Sequence, residues 1–134
     1  MDILHPTPLL GGLSPDQFMR RHWQKKPLLI RQAVPAGAPW VSRQALFELA
    51  AREDVESRLI LRTDAGWQLE HGPFNARIWR ALPPTRWTLL VSGLNYFVPA
   101  AQALLQRFSF VPHARLDDVM VSYAAPQGGV GPHF

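Results

Sequence analysis

The chain has 134 residues, 47% of them hydrophobic and 18% charged, which excludes a disordered tail and suffices for one domain with a core. Cysteine is absent, so disulfides and thiolate metal sites are excluded, and any metal would rest on histidine and carboxylate. The net charge of +4 has two readings, attraction to anionic partners such as the ribosome and nucleic acids, or mere solubility, and the second carries more weight.

Met1–Pro6 lacks the basic start and long apolar core of a signal peptide, and no apolar run approaches the ~18–20 residues that span a bilayer. A soluble, cytoplasmic protein is the expectation. Thirteen prolines favour short elements separated by abrupt turns. Ser14-Pro15-Asp16-Gln17 opens a helix, with Ser14 as cap, Pro15 in the first turn and Gln17 closing a capping box. Phe18 with His22, and Met19 with Trp23, lie four apart on one face; Lys25 and Lys26 suit the helix's negative end, and Pro27 stops it. Leu28-Leu29-Ile30 then reads as a short buried strand.

Ser42 caps a second helix over Arg43–Glu53, with Leu46, Phe47, Leu49 and Ala50 toward a core and Glu48 paired with Arg52. A hairpin follows, from Leu59-Ile60-Leu61 through Thr63-Asp64-Ala65-Gly66 to alternating Trp67, Gln68, Leu69 and Glu70. Trp87–Val91 is a strand of β-formers. Pro99 starts a helix to about Phe108, with Leu104, Leu105 and Phe108 as its stripe, and Val119–Tyr123 is the last strand. Neither a repeat nor a linker suggests a second domain, and the irregular mixture favours α+β over a doubly wound sheet.

The chemistry gathers at the end. Gly128, Gly129 and Gly131 permit backbone angles that other residues resist, and Pro132 fixes the chain just before His133. A lone histidine is more often structural than a ligand; the glycine frame raises the weight of the second reading without deciding it. His5, His22, His71 and His113 have no H-x-D or H-E-x-x-H partner and read as structural or exposed. Asp117 and Asp118 should point to opposite faces of a strand, Asp117 as a polar edge contact and Asp118 toward a pocket on the face of Ser122. Arg20–Lys26 could hold phosphates with Trp23 stacking, though amphipathicity alone explains Trp23 as core and the lysines as solvated. P-loop, dinucleotide and G-x-S-x-G signatures are absent.

His22-Trp23-Gln24-Lys25-Lys26-Pro27-Leu28-Leu29-Ile30, Glu70-His71-Gly72-Pro73-Phe74, Trp87–Val91, Leu116–Tyr123 and Gly128–His133 occur in that order. Together they resemble the bacterial ribosomal oxygenases, JmjC-type cupin enzymes, from about Leu13 onward. The resemblance implies an α+β fold in which N-terminal helices and strands lead into a double-stranded β-helix, a barrel left incomplete after His133. It implies dependence on Fe(II) and 2-oxoglutarate, hydroxylation of an arginine in a large-subunit ribosomal protein, no direct nucleic-acid or membrane binding, and a homodimer for the full-length enzyme.

By the same resemblance His133 matches the first histidine of the H-x-D iron motif, and Ser122 a position that helps hold the 2-oxoglutarate carboxylate. Gln127 stands where the family more often has a third glycine. The motif's aspartate, the distal histidine and the basic partner of 2-oxoglutarate would fall after Phe134. Residues 1–134 are therefore expected to be one region, the N-terminal part of an oxygenase domain, catalytically inert by itself. The alternative is a non-catalytic basic module that meets a ribosomal component.

Overall fold

The computed structural model describes residues 3–34 and 41–132. Internal contacts divide the chain into two compact units, Met1–Pro39 with Gln106–Leu116, and Trp40–Leu105 with Asp117–Phe134.

The first unit contains helix α1, Pro15–Arg21. Its start is the capping box that the sequence predicts: the Gln17 amide donates to Ser14 Oγ at 3.2 Å, and the Ser14 amide donates to Gln17 Oε1 at 3.0 Å. At the other end, Lys25 Nζ donates to the Arg20 carbonyl at 2.5 Å, so a lysine does satisfy the helix's negative end. Phe18 stacks on His22 at 6.0 Å and meets Phe110 edge-on at the same separation.

Leu28–Ile30 is not a strand. No described segment pairs with it, and Leu29 is 77% exposed, so the run is extended chain rather than buried sheet. Three apolar residues carry no periodicity that separates the two outcomes.

The second unit is a four-stranded antiparallel sheet with helices. Helix α2 spans Arg43–Ala50 and is capped by Ser42, which accepts from the Ala45 amide at 3.1 Å. It ends three residues before the predicted Glu53, so Arg52 lies beyond the helical spacing. Arg52 pairs with Asp54 at 2.6 Å, and Glu48 instead accepts from Gln44 at 2.9 Å.

Strands β1 (Ser57–Thr63) and β2 (Gly66–His71) form the expected hairpin around Asp64-Ala65. Helix α3 (Ala76–Ala81) precedes β3 (Trp87–Val91), and α4 (Pro99–Gln106) precedes β4 (Val121–Ala124). The order across the sheet is β2-β1-β3-β4, leaving β2 and β4 as edges. The fold is thus α+β, and its sheet is open.

Alternation divides the sheet into two faces. Leu59, Leu89, Val91 and Trp87 point to the side where Leu46, Ala50 and Phe74 complete the core. An aromatic chain crosses that side: Phe47 stacks on Trp79 at 4.4 Å and meets Tyr123 at 5.9 Å, and Tyr123 lies 5.6 Å from Trp87. The H-G-P-F motif serves this core. Phe74 plugs it, and a Cβ at Gly72 would come within 2.1 Å of Ser57 Oγ.

Truncating Leu89, which is wholly buried in the central strand, removes contacts that nothing else replaces. Leu89→Ala is expected to cost about 2–5 kcal/mol, read as a lower urea midpoint with an unchanged slope.

Candidate functional site

The second face holds Ser122, one of the residues that the sequence marks for chemistry. Residues directly opposite in a ladder share a face. By register, Ser122 lies opposite Leu90 and Leu90 opposite Arg58; Ala124 lies opposite Thr88, Thr88 opposite Ile60, and Arg62 opposite Trp67. Ser122 is exposed there. Thr88 Oγ1 is buried, without a hydrogen-bond partner among the described residues.

The glycine-rich run folds back onto this same face. The Ala125 amide donates to the Trp87 carbonyl at 3.0 Å, the Arg86 amide to the Pro126 carbonyl at 2.8 Å, and the Gly128 amide to the Ala125 carbonyl at 2.8 Å. A Cβ at Gly128 would lie 2.3 Å from the Trp87 carbonyl oxygen and 2.9 Å from Thr88 Oγ1. Beyond it, Gly129 and Gly131 lie against Trp67, so the run passes from the end of β3 to β2. Gly131 has φ +73°, a region that favours glycine. His133 lies outside the described residues, two positions further along the chain.

Asp117 and Asp118 do not part to opposite faces. Both border one cavity of about 570 Å³ with Asp54, Glu56, Tyr96 and Met120. The reason is local. Val119 spends its backbone on the turn at Leu94-Asn95, accepting from the Leu94 amide at 2.9 Å and donating to Asn95 Oδ1 at 2.9 Å. β4 therefore starts at Val121 instead of the predicted Val119, and residues 117–120 do not follow sheet alternation. Asp118 does reach the cavity, where its Oδ2 accepts from the amide of Gly93, a residue with φ +69°.

Hydrogen bonds from Arg52, followed by its charge, hold the Asp54 carboxyl below its ordinary range. Glu56 lies 3.7 Å from Arg58. Asp117 makes no hydrogen bond or ion pair among the described residues. The cavity wall is therefore acidic on balance, with an exposed tyrosine and methionine beside the carboxylates.

Among the described residues no group of three or more His, Asp or Glu could hold an ion. A single imidazole at His133 would supply one ligand, where a two-histidine, one-carboxylate iron site needs three. Ser122 and Thr88 share the face on which the glycine run lies, Ser122 exposed and Thr88 buried beneath Gly128. Of the remaining histidines, His71 is exposed opposite Arg58, on the face and in the cross-strand row of Ser122, while in the first unit His5 and His113 are exposed and His22 is stacked on Phe18. In the sequence Trp67 reads only as part of the hairpin's second strand, and Thr88 only as part of the strand Trp87–Val91. The only hint at Trp67 is a large aromatic residue in a strand that is exposed along its whole length.

The identity of this segment comes from its similarity to known proteins. No protein-family model matches the chain. It is 40% identical over 117 residues, 87% of its length, to the ribosomal protein uL16 3-hydroxylase of Escherichia coli, of which it covers 31%. It is 37% identical to a probable ribosomal oxygenase of Haemophilus influenzae, matching over 91% of this chain and 30% of that one.

The ribosomal oxygenase YcfD of Escherichia coli superposes with a TM-score of 0.82 at 38% identity, over 90% of this chain and 33% of YcfD. A YcfD complex with cobalt and 2-oxoglutarate matches at 0.80 and 39%, over 89% of this chain and 32% of that one. In sequence and in fold the chain is homologous to the bacterial ribosomal oxygenases, and it spans about a third of the length of the curated relatives it matches. Among the described residues no helix is long and apolar enough to cross a membrane.

Two substitutions separate a tight backbone fit from an exposed hydroxyl. Gly128→Ala forces a methyl group into the Trp87 carbonyl and is expected to cost about 1–3 kcal/mol by thermal or urea unfolding. Ser122→Ala removes an exposed hydroxyl and should shift stability by less than about 0.5 kcal/mol.

Proposed function

We propose that the chain forms part of an Fe(II)- and 2-oxoglutarate-dependent hydroxylase acting on an arginine of a large-subunit ribosomal protein, in the cytoplasm. One observation carries the reading: sequence identity of 37% and superposition with ribosomal oxygenases each extend over about nine-tenths of the chain. In this reading His133 contributes one imidazole to the iron, and the Ser122 hydroxyl donates to a carboxylate of 2-oxoglutarate. The iron would supply the activation of dioxygen. The residues described here do not complete its ligand set, and the oxidation is not assigned to them.

What this chain's own residues do is bind and orient. The cavity is lined by Asp54, Glu56, Asp117 and Asp118 together with Arg58; Arg52 and Arg58 already pair with Asp54 and Glu56, which leaves Asp117 and Asp118 to meet a guanidinium. Tyr96 and Met120 offer apolar surface for the methylene stem of the same side chain. Asp118 is already held by the Gly93 amide, so one of its oxygens is pre-oriented before any substrate arrives.

A second reading, a non-catalytic basic module, draws on the exposed Arg20, Arg21, Lys25, Lys26 and Arg31 of the first unit. Two measurements decide between them. Large-subunit ribosomal proteins from cells carrying the gene should bear the mass of one added oxygen on an arginine, absent from cells lacking it. The 134-residue chain alone, supplied with Fe(II), 2-oxoglutarate and substrate, should form no succinate above background. Unchanged protein masses between the two cell types would sink the hydroxylase, and iron-dependent succinate from the short chain would refute its inertness.

A further inference from the structure

The cavity of the second unit is lined by four carboxylates and, among the described residues, by one cation, Arg58. That residue lies on β1, paired with His71 of β2 on one side and Leu90 of β3 on the other, so its backbone is held from both flanks. Its side chain leaves the sheet on the face that carries Ser122. A cation fixed in a cavity that suits a cationic ligand needs a reason, because like charges brought together weaken binding.

The contacts of Arg58 do not supply that reason. A guanidinium carries five N–H donors in a planar fork, which binds best to strong oxygen acceptors. Here Nη2 meets Met120 Sδ at 3.7 Å, and a thioether sulfur is a weak acceptor. Nε lies 3.7 Å from Glu56 Oε1, an ion pair beyond hydrogen-bond length, and makes no hydrogen bond among the described residues. Arg52 shows the contrast, since it grips Asp54 with two bonds of 2.8 and 2.6 Å. The Glu56 side chain is 67% exposed and that of Arg58 33%, so Arg58 is the fixed member of its pair and Glu56 the loose one. A guanidinium so placed is available to an acceptor that arrives from solution.

That acceptor is not the incoming guanidinium, which has donors only. It is found instead on the main chain to which such a guanidinium is attached. An arginine residue of a polypeptide ends in a cation and begins between two peptide carbonyl groups. The cavity, about 570 Å³, is of the size that takes a small organic molecule rather than a lone ion. Neither Arg52 nor Arg58 engages Asp117 or Asp118, so those carboxylates meet the cationic end. Arg58 is left to the carbonyl end, and the two ends of one residue face opposite charges in one cavity.

We propose that Arg58 is a specificity-determining residue: its guanidinium receives a main-chain carbonyl oxygen of the polypeptide whose arginine side chain enters the cavity. The inference rests on the reading of the cavity as a guanidinium site. It adds a means of telling arginine within a protein from a free alkylguanidine, because Arg58 opposes a bare cation and favours one that brings an acceptor with it.

Titration of the metal-free full chain, followed through the ¹³C-labelled methyl group of Met120 on the cavity wall, tests it. Two probes share one cation: N-acetyl-L-arginine methylamide, which has main-chain carbonyls, and propylguanidine, which has none. The wild type should bind the first about tenfold more tightly or better. In R58M that preference should fall to about threefold or less. Propylguanidine itself should bind R58M as well as it binds the wild type, or more tightly, since a repelling charge is gone. A collapsed cavity would instead weaken both probes alike. R58K keeps the charge without the fork; it should bind propylguanidine as the wild type does and lose most of the preference, and it carries the test if R58M does not fold. Equal affinity of the wild type for the two probes, an undiminished preference in folded R58M or R58K, or equal loss of both probes in R58M overturns the inference and leaves the guanidinium reading standing. No response to either probe removes both.

Discussion

Trp87 ties the two faces of the sheet together. Its ring packs in the core, 6.3 Å from Phe47 and 5.6 Å from Tyr123, and its Nε1 donates to the Pro83 carbonyl at 2.8 Å. Its carbonyl receives the Ala125 amide, and the same oxygen stands where a side chain at Gly128 would go. One residue thus couples packing on the core face to the path of the glycine run on the other. A buried strand such as β3 has little freedom to shift, because interiors are packed as tightly as organic crystals. The loop inherits that rigidity at its base and must find any further support elsewhere.

The same coupling explains which features were legible in the sequence. Caps at Ser14 and Ser42, the hairpin turn at Asp64-Ala65 and the buried strand Trp87–Val91 are local statements. Each depends on residues within a few positions, and each appeared where it was read. Leu28–Ile30 failed because a strand needs a partner, and three apolar residues say nothing about whether one exists. The Glu48–Arg52 pair failed for a related reason. Its spacing is valid only inside a helix, and the helix ended first.

The candidate site was legible only where a motif marked it. Glycines announce a constrained backbone, but they do not say what constrains it, and here the answer lies some sixty residues earlier, in Trp67. Asp118 was visible as a carboxylate near a strand. Its bond to the Gly93 amide was not, because a side chain reaching back to a left-handed turn leaves no periodic trace. Asp117 joined it at the cavity because the backbone between Asp117 and Met120 answers to the Leu94-Asn95 turn before it answers to the sheet.

The position of Gln127 shows how a glycine loop absorbs a departure from its pattern. Its φ is +61°, the left-handed region, where a non-glycine residue costs about 1–2 kcal/mol, so a third glycine there is the unstrained choice. Across from it Arg86 has φ +68°, a second strained residue at the same bend. The two meet: Arg86 Nε donates to Gln127 Oε1 at 3.4 Å, and Arg86 also reaches Asp64 in the hairpin turn at 3.3 Å. These contacts are exposed and long, so they return only a part of the strain. What they add is direction, because the side chain that glycine lacks ties the loop's entry to the β1–β2 turn, and that turn is where Trp67's strand begins. Beside its base on β3, the run therefore meets one hairpin at two points, and a movement of β2 would be felt at Gln127 and at Gly131 together.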